Sequence, residues 1–195
     1  MKALILVATL KKEGLSNTQT LSEFLATKMR AEKVDVEMVR LAERSILPGT
    51  YSNMGEGDQW PQILESVLAA DIVIFATPIW WNNMSSLMQR VVERLDELHD
   101  RVMNGDPSGL EGKAAGIVIT GDSDGAQSVI ASLANFFNAI GLNLPPFATL
   151  SVLWSGQAKG KNTTRDELLA KYENEYAKTA DKMIKQLVRT ASLTA

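Results

Sequence analysis

The sequence predicts an α/β fold in which an open, doubly wound parallel sheet of five strands carries helices on both faces. Two observations support this prediction. Continuous runs of Val, Ile and Leu without polar alternation are typical of strands that are buried on both faces, as in a parallel sheet. Stretches with apolar residues at helical spacing separate these runs. This alternation of strand and helix implies right-handed crossovers and helices on both faces of the sheet.

Five stretches are predicted to form the strands of this sheet. They are MKALILVAT (1–9), VDVEMVRL (34–41), DIVIFA (71–76), AAGIVIT (114–120) and FATLSVLW (147–154). The second stretch alternates between apolar and polar residues, so we expect it near an edge of the sheet. The others have the near-continuous apolar character expected of strands covered on both sides.

Five helices are predicted from apolar stripes at helical spacing. The stripes lie within residues 21–29, 64–68, 84–95, 129–140 and 168–188. Gly141 and the following Pro145 end the fourth helix, and the spacing of Thr164 and Glu167 predicts a capping box at the start of the last one. We find no internal repeat and no linker, so residues 1–195 are predicted to form a single domain.

The composition excludes several classes of function. The formal charge of −3 comes from 20 basic and 23 acidic residues spread along the chain, so no basic tract predicts binding to nucleic acid or to an anionic membrane surface. The absence of cysteine removes disulfides, thiolate nucleophiles and zinc–thiolate sites. His99 is the only histidine and stands in the exposed-looking segment DELHDR, so no metal site is expected.

The first residues predict where the protein resides. The apolar run in MKALILVAT is too short to span a bilayer and lacks a small-residue cleavage site. We therefore interpret it as a core strand and expect a cytoplasmic protein with no membrane partner.

In a doubly wound sheet, ligands bind outside the carboxyl ends of the strands near the topological switch point. The loop after the first strand, TLKKEGLSNTQT (9–20), supplies hydroxyls, lysines and a helix start. A phosphate could be held there by backbone amides and by the hydroxyls of Thr9, Ser16 and Thr18, with charge from Lys11 or Lys12. Alternatively, Ser16 is simply an N-cap residue, and the two roles are compatible. The loop matches neither GxGxxG nor GxxxxGK[ST].

The loop after the third strand reads TPIWWNN (77–83). Pro78 restricts the backbone, so the chain leaves the strand stiffly. Two adjacent tryptophans, Trp80 and Trp81, could form a hydrophobic plug, a dimer contact or a surface for a planar ligand. Because this loop is expected beside the phosphate-competent loop, a phosphorylated ligand with a large ring system would satisfy both.

The loop after the fourth strand, TGDSDGAQS (120–128), has glycines at 121 and 125. Glycine allows close approach of the backbone to a ligand. The alternative is an ordinary turn in which Asp122 or Asp124 caps the next helix.

The segment TPIWWNNMSSLMQRVVERLDE resembles one found in flavodoxin-like NAD(P)H-dependent FMN reductases and NAD(P)H:quinone reductases, the multimeric flavodoxin-like flavoproteins. The similarity extends to the first strand with its loop and to GDSDGAQSVIASLANFFNAIGLNLPP, and so covers most of residues 1–154. This resemblance implies the strand order 2-1-3-4-5, bound FMN, NADPH or NADH as electron donor, and a homodimer or homotetramer.

The resemblance also implies which residues bind FMN. Those around the phosphate would be Thr9, Lys11, Ser16, Asn17 and Thr18; those along the isoalloxazine would be Pro78, Ile79, Trp80, Trp81, Asn82 and Asn83; and Gly121, Asp122 and Gly125 would lie near the ring or its ribityl chain.

The resemblance further implies a reaction. NAD(P)H would pass hydride to N5 of FMN and leave, and a quinone or similar small acceptor would then take the electrons in a ping-pong scheme. Because the flavin carries this chemistry, no catalytic side chain is expected. Two alternatives remain open: a flavodoxin-type electron carrier without nicotinamide activity, and a flavin-free interaction domain on the same fold. Dedicated carriers tend to be strongly acidic, and a charge of −3 is weak by that measure.

Overall fold

A computed structural model describes residues 1–194. Within this range it contains six strands: β1 Lys2–Val7, β2 Asp35–Arg40, β3 Ile72–Trp80, β4 Asn83–Met84, β5 Ala114–Gly121 and β6 Thr149–Leu153. Five of them pair in parallel in the order β2-β1-β3-β5-β6, and β4 pairs antiparallel with the end of β3. Since β4 stands outside the parallel sheet, this is the predicted order 2-1-3-4-5. The predicted fold class is confirmed.

Helices cover the sheet on both faces. They are α1 Asn17–Ala31, α2 Trp60–Ala69, α3 Ser86–Arg94, α4 Asp96–Met103, α5 Ala126–Ile140, α6 Arg165–Lys171 and α7 Ala177–Thr194. Apolar side chains of α1, α6 and α7 share one core cluster, and those of α2, α3, α4 and α5 share the other. Within the range described, no helix is both long enough and apolar enough to span a bilayer.

Strand β1 shows why the central strands appear in the sequence as unbroken apolar runs. Leu4 and Leu6 point into one core cluster, whereas Ile5 and Val7 point into the other. All four side chains are fully buried. Both faces of the strand are therefore covered, and neither tolerates a polar residue. The edge strand β2 is only partly covered, which accounts for its alternating sequence.

Two predicted helices differ in the structure. The helix predicted from Met84 onwards begins at Ser86, because Met84 belongs to β4 and the Ser85 hydroxyl caps the helix by accepting from the amide of Met88 at 3.2 Å. The predicted last helix is interrupted by a π-helical turn, Tyr172–Tyr176, between α6 and α7. Its predicted capping box is present, since the Thr164 and Glu167 side chains each bond the other's backbone amide.

A long irregular segment, 44–59, connects the end of the β2 region to α2 and is fastened by a buried ion pair. The Arg94 guanidinium and the Asp58 carboxylate are 2.7 Å apart, and neither side chain is exposed. Arg94 also donates to the carbonyls of Leu47 and Tyr51. Asp58 accepts from three backbone amides, those of Leu47, Met54 and Trp60. One buried pair thus bonds five backbone groups, four of them in the irregular segment and one at the start of α2.

This ion pair predicts a loss of stability in acid. Burial alone would raise the pKa of Asp58, but hydrogen bonds from Arg94 and from the three amides outweigh it and lower the pKa to about 2. The contribution of Asp58 to stability is therefore complete above its unfolded pKa near 4 and is lost as the pH falls towards 2. We expect Asp58 to account for about 2 kcal/mol of the drop in the free energy of unfolding across this window, in addition to the contributions of other carboxylates with lowered pKa values, such as Glu97. Urea titrations from pH 7 to pH 2 measure it; an Asp58→Asn variant with the same pH dependence would contradict the assignment.

Candidate functional site

Three segments meet at the carboxyl edge of the sheet: the β1 loop (9–16), the β3 hairpin (78–84) and the β5 loop (121–125). Hydrogen bonds of buried hydroxyl groups connect the strands and helices that carry these three segments. Ser85 Oγ donates to the carbonyl oxygen of Ala8 at 2.7 Å, and Thr18 Oγ1 lies 2.7 Å from Thr120 Oγ1. These bonds link the ends of β1 and β5 to α3 and α1, so the three loops that the sequence singled out do lie at one edge.

The β1 loop delivers the start of α1 to this edge. Ser16 is the N-cap residue, and its hydroxyl accepts from the Gln19 amide at 3.3 Å and donates to Thr9 Oγ1 at 2.8 Å. The capping interpretation of Ser16 therefore holds. The amides of Asn17 and Thr18 belong to the first turn, where no helix carbonyl can reach them. With the positive end of the helix dipole, they form an anion-binding position.

Cationic side chains surround the β1 loop. Lys11 Nζ donates to the carbonyl of Leu15 at 2.8 Å, so this side chain lies back across its own loop. Arg40, at the end of β2, donates to the carbonyls of Lys11 at 3.1 Å and Gly14 at 3.4 Å. The sequence interpretation did not include Arg40. Its position at the carboxyl end of the strand next to β1 was the available signal.

All five predicted phosphate-binding side chains are already engaged with protein groups: those of Thr9, Lys11 and Ser16 within their own loop and the start of α1, and those of Asn17 and Thr18 with more distant residues. The Thr18 hydroxyl is buried against Thr120, and Asn17 Nδ2 donates to the carbonyl of Gln157 at 3.2 Å. What these two residues can still offer an anion at the helix start is their backbone amides.

The segment with the tryptophan pair forms a hairpin rather than the loop expected from the sequence. Strand β3 continues to Trp80, which pairs with Asn83 in β4. The turn residues Trp81 and Asn82 have φ values of 49° and 62°, the left-handed geometry of a type I′ turn. Trp81 is 93% exposed and Trp80 45% exposed. Trp81 therefore cannot be a hydrophobic plug.

The hairpin is anchored at its base. The amide of Ser85 donates to Thr77 Oγ1 at 3.0 Å, within a buried environment. At the tip, Asn83 Nδ2 donates to the carbonyl of Trp81 at 2.9 Å. Pro78 and Ile79, between tip and base, are half-buried. Hydrogen bonds at its base and at its tip therefore hold the hairpin that carries the two indoles.

The β5 loop packs directly against the hairpin. Gly125 has a φ of 91° and is the N-cap residue of α5. A Cβ atom at this position would lie 2.7 Å from Asn82 Oδ1 and 3.0 Å from Asn82 Cα. Only glycine therefore allows this contact. The carboxylates of Asp122 and Asp124 bond the hydroxyl of Ser123 instead of capping α5, so the capping alternative for them is wrong.

Gly121 ends β5 with its carbonyl oxygen fully occupied. That oxygen accepts from the amide of Trp154 at 3.0 Å and from Gln157 Nε2 at 3.2 Å. A Cβ atom on Gly121 would lie 3.0 Å from Ile79 Cδ1. This glycine therefore brings the β5 loop close to the hairpin and turns its carbonyl towards the protein.

The arrangement fits FMN. The start of α1 provides free amides and nearby cations for a phosphate, the hairpin exposes two indoles for a planar ring, and Gly125 holds the two sides together without a side chain. A surface cleft of about 510 Å³ borders the β1 loop and continues along α1 as far as Glu23, and its lining includes Arg40 and Arg165 but no residue of the hairpin or the β5 loop. Across residues 1–194, no three His, Cys, Asp or Glu side chains are grouped so as to hold a metal ion.

The decisive comparison is with a family model. The model for NADPH-dependent FMN reductase matches residues 1–156. The chain belongs to this family. FMN and NAD(P)H are the cofactors of the family, so the predicted family and cofactors are confirmed. The chain spans only 24% and 65% of the length of two curated relatives, so the activity of the whole protein is a proposal.

Curated relatives have diverse activities. The chain is 32% identical over 170 residues to the 8-demethyl-8-aminoriboflavin-5′-phosphate synthase of Streptomyces davaonensis, covering 81% of this chain and 65% of the relative. It is 32% identical over 163 residues to the divalent metal cation transporter MntH of Mycobacterium bovis, covering 81% of this chain but 24% of the relative. It is 28% identical over 138 residues to the FMN-dependent NADPH-azoreductase of Staphylococcus haemolyticus, covering 68% of this chain and 71% of the relative.

Solved structures support the fold. RosB with the bound intermediate 8-demethyl-8-formylriboflavin-5′-phosphate superimposes with a TM-score of 0.80 at 25% identity, covering 99% of this chain and 79% of that one. A flavodoxin from the domain Archaea gives a TM-score of 0.57 at 14% identity, covering 97% of this chain and 99% of that one. The flavodoxin-like architecture is therefore confirmed.

Proposed function

We propose that this protein is an NAD(P)H-dependent reductase that binds FMN at the carboxyl edge of the sheet and passes electrons to a quinone or a similar small acceptor. The observation that carries the proposal is the pairing of two features at one edge. Unpaired amides at the start of α1 suit a phosphate. The exposed indoles of the β3 hairpin suit a planar ring.

We assign the FMN contacts to the residues that the sequence predicted. The backbone amides of Asn17 and Thr18 and the hydroxyl of Thr9 would hold the phosphate, with charge from Lys11. Ser16 would orient the Thr9 hydroxyl, because it donates its own proton to Thr9 Oγ1. The residues assigned to the ring are Pro78, Ile79, Trp80, Trp81, Asn82 and Asn83, and those assigned to the ring or the ribityl chain are Gly121, Asp122 and Gly125. Arg40 adds a second positive charge beside the β1 loop.

FMN, when bound, supplies the hydride and electron transfer. The chain then has to place the ring, expose one face and stabilise negative charge. We assign backbone amides within residues 79–83 as the hydrogen-bond donors that would stabilise this negative charge. Since Trp81 is almost fully exposed, the tip of the hairpin is open to solvent. If NAD(P)H and the acceptor use one shared face of the ring, they bind in turn, which is a ping-pong order, and no side chain is assigned as a proton donor or acceptor.

Two spectroscopic steps test this function. The purified protein reconstituted with FMN should retain a flavin absorption band, and NADPH or NADH should bleach that band under anaerobic conditions. Subsequent addition of a quinone should restore it. Absence of a band would indicate a flavin-free interaction domain, and a band that neither nicotinamide bleaches would indicate an electron carrier. Initial rates at several fixed quinone concentrations should give the parallel double-reciprocal lines of a ping-pong enzyme.

The similarity to the synthase favours a second candidate, in which the flavin is a substrate. The relative is 32% identical, and the solved structure at a TM-score of 0.80 holds a modified riboflavin phosphate. Mass spectrometry of the flavin released after prolonged aerobic turnover with an added amino donor, such as an amino acid or an ammonium salt, separates the two candidates. An unchanged FMN mass supports the reductase, and a mass altered at the ring methyl supports a flavin-modifying enzyme.

We also propose that the protein is a homodimer or a homotetramer. Exposed apolar side chains cluster in sequence around the candidate site at Leu10, Leu15, Trp80 and Trp81. Such side chains on one edge are typical of a contact surface. Light scattering at several protein concentrations measures the assembly, and a monomer at all concentrations would contradict the proposal.

Replacing Trp81 by alanine is expected to weaken FMN binding about two- to tenfold, the range expected for one aromatic contact. Stability should not fall, because the indole is 93% exposed. FMN titration and urea unfolding of the apoprotein measure the two effects separately.

Phe147 provides a matched control for this variant. It is also exposed and also has a positive φ, of 65°, but it precedes β6 at the opposite edge of the sheet. Phe147→Ala should leave FMN affinity unchanged. Equal affinities of the wild type and Trp81→Ala would remove Trp81 from the binding surface, and the same test on Trp80→Ala shows which indole faces the ring.

A further inference from the structure

Gln157 connects two of the loops assigned to FMN. It stands in a short 3₁₀ turn after β6. Its side-chain Nε2 donates to the carbonyl oxygens of Val152 at 2.9 Å and Gly121 at 3.2 Å. Its own carbonyl oxygen accepts from Asn17 Nδ2 at 3.2 Å. One residue is therefore bonded both to the end of β5 and to the first residue of α1.

Tyr172 supports this connection from the last helical segment. Its side chain is fully buried, and its hydroxyl lies 3.4 Å from Gln157 Oε1 and 3.4 Å from the carbonyl oxygen of Asn17. A hydroxyl has one proton, so the two acceptors share it. Burial raises the pKa of Tyr172 far above its ordinary value, with a further contribution from Tyr176. The phenol therefore remains a donor at any pH at which the protein functions.

Tyr172 also begins the π-helical turn that separates α6 from α7. π-helical turns cost regular hydrogen bonding and occur frequently at functional sites. Here the turn lies where the helix passes the start of α1, and its first residue makes the contact with Asn17. The π-helical turn therefore begins at the same residue that makes the polar contact with Asn17.

We propose that Gln157 and Tyr172 are positioning residues for FMN, which set the start of α1, where the phosphate is held, relative to the β5 loop beside the ring. This inference rests on the FMN site proposed above. Neither residue needs to touch the cofactor: Gln157 and Tyr172 act through Asn17, and Gln157 also acts through Gly121. Both lie beyond residues 1–156, so this device is not part of the segment that the family model matches.

FMN is a suitable ligand for such a device because it is long and is held at both ends. A shift between the helix start and the β5 loop would leave phosphate and ring unable to bind optimally at the same time. Riboflavin has the ring and the ribityl chain but no phosphate, so it would not detect the shift. The ratio of FMN affinity to riboflavin affinity is therefore the quantity that the two residues control.

The test uses two variants that remove hydrogen bonds with little change in volume. Tyr172→Phe deletes the hydroxyl and keeps the ring, and Gln157→Met deletes the amide. We expect Tyr172→Phe to weaken FMN binding about two- to fivefold, since its one proton is shared between two acceptors at 3.4 Å, and Gln157→Met to weaken it at least about tenfold. Riboflavin affinity should change less than twofold in both. Because the residues share one network, the double variant should lose less than the product of the two single effects.

Matched controls are available in the chain. Tyr176→Phe alters the other tyrosine of the π-helical turn, which takes no part in these hydrogen bonds. Gln62→Met makes the same exchange at an exposed position of α2. Both controls should keep the wild-type ratio of FMN to riboflavin affinity.

The outcomes separate this inference from the proposed function. If the wild type binds FMN but the variants lose FMN and riboflavin affinity in equal proportion, or lose neither, the residues are structural and the inference is wrong. If the wild type binds no FMN, both proposals fail together. Should Gln157→Met fail to fold, the Tyr172→Phe ratio decides alone, because that variant retains the buried ring.

Discussion

Replacement of Arg94 by alanine is expected to lower the free energy of unfolding by about 3–5 kcal/mol, the cost of leaving a buried charge without its partner. Asp58 would stay buried beside an empty space, and the carbonyls of Leu47 and Tyr51 would lose their donor. Urea unfolding at pH 7 measures the loss.

The expected loss is large because Arg94 holds the irregular segment 44–59 onto α3 as well as pairing with Asp58. Limited proteolysis should therefore cut within residues 48–57 in the variant and not in the wild type. Arg44→Ala, at an exposed position of the same segment, is the control and should change stability by less than about 0.5 kcal/mol. If Arg94→Ala loses no more stability than the control, the Arg94–Asp58 pair does not hold segment 44–59 in place.

Replacement of Gly125 by alanine is expected to weaken FMN binding at least about tenfold, because the new methyl group would displace the β3 hairpin. The Cβ atom would lie 2.7 Å from Asn82 Oδ1 and 3.0 Å from a backbone atom of the same residue. Backbone cannot rotate away as a flexible side chain can. The left-handed geometry of residue 125 would add about 1–2 kcal/mol of strain to the overpacking cost of about 1–3 kcal/mol.

Gly105→Ala separates strain from displacement. Gly105 has nearly the same backbone geometry, with a φ of 86°, but a Cβ atom there would meet nothing within 4 Å. This control should lose stability from strain alone and keep its FMN affinity. An affinity in Gly125→Ala as high as in the control would mean that the position of the hairpin does not matter for the cofactor.

The buried central strands could be predicted because a strand covered on both faces has an almost continuous apolar sequence, whereas the order of the strands was implied by the family resemblance. A strand such as β1, with Leu4 and Ile5 pointing into different core clusters, has no place for a polar residue. The edge position of β2 could be predicted because its sequence alternates between apolar and polar residues, as expected of a strand that is only partly covered. Helix boundaries were less predictable, since Met84 fits the stripe of a helix as well as it fits a strand.

The hairpin at the candidate site could not be predicted because its turn lacks the usual residues. Type I′ turns favour Asn-Gly or Asp-Gly, whereas Trp81 and Asn82 occupy this one. The burial of Arg94 could not be predicted either, because arginine is rarely buried and no nearby residue in the sequence indicates Asp58 as its partner. Gln157 is bonded to Asn17, 140 residues away, which no local pattern reports.

The β1, β3 and β5 loops were placed together correctly from the fold alone, since parallel strands bring their carboxyl ends to one edge. The assignment of individual FMN contacts, the single domain and the physiological acceptor stay predictions.

The hydroxyl bonds at the mouth of the site have a consequence for how the protein matures. Ser85 and Ala8 are 77 residues apart, and Thr18 and Thr120 are 102 residues apart. Contacts of such span close late during folding, because a long loop of chain must first be ordered. The nascent chain therefore cannot form the candidate site until residue 120 has left the ribosome. We therefore expect bound cofactor to slow unfolding rather than to accelerate folding.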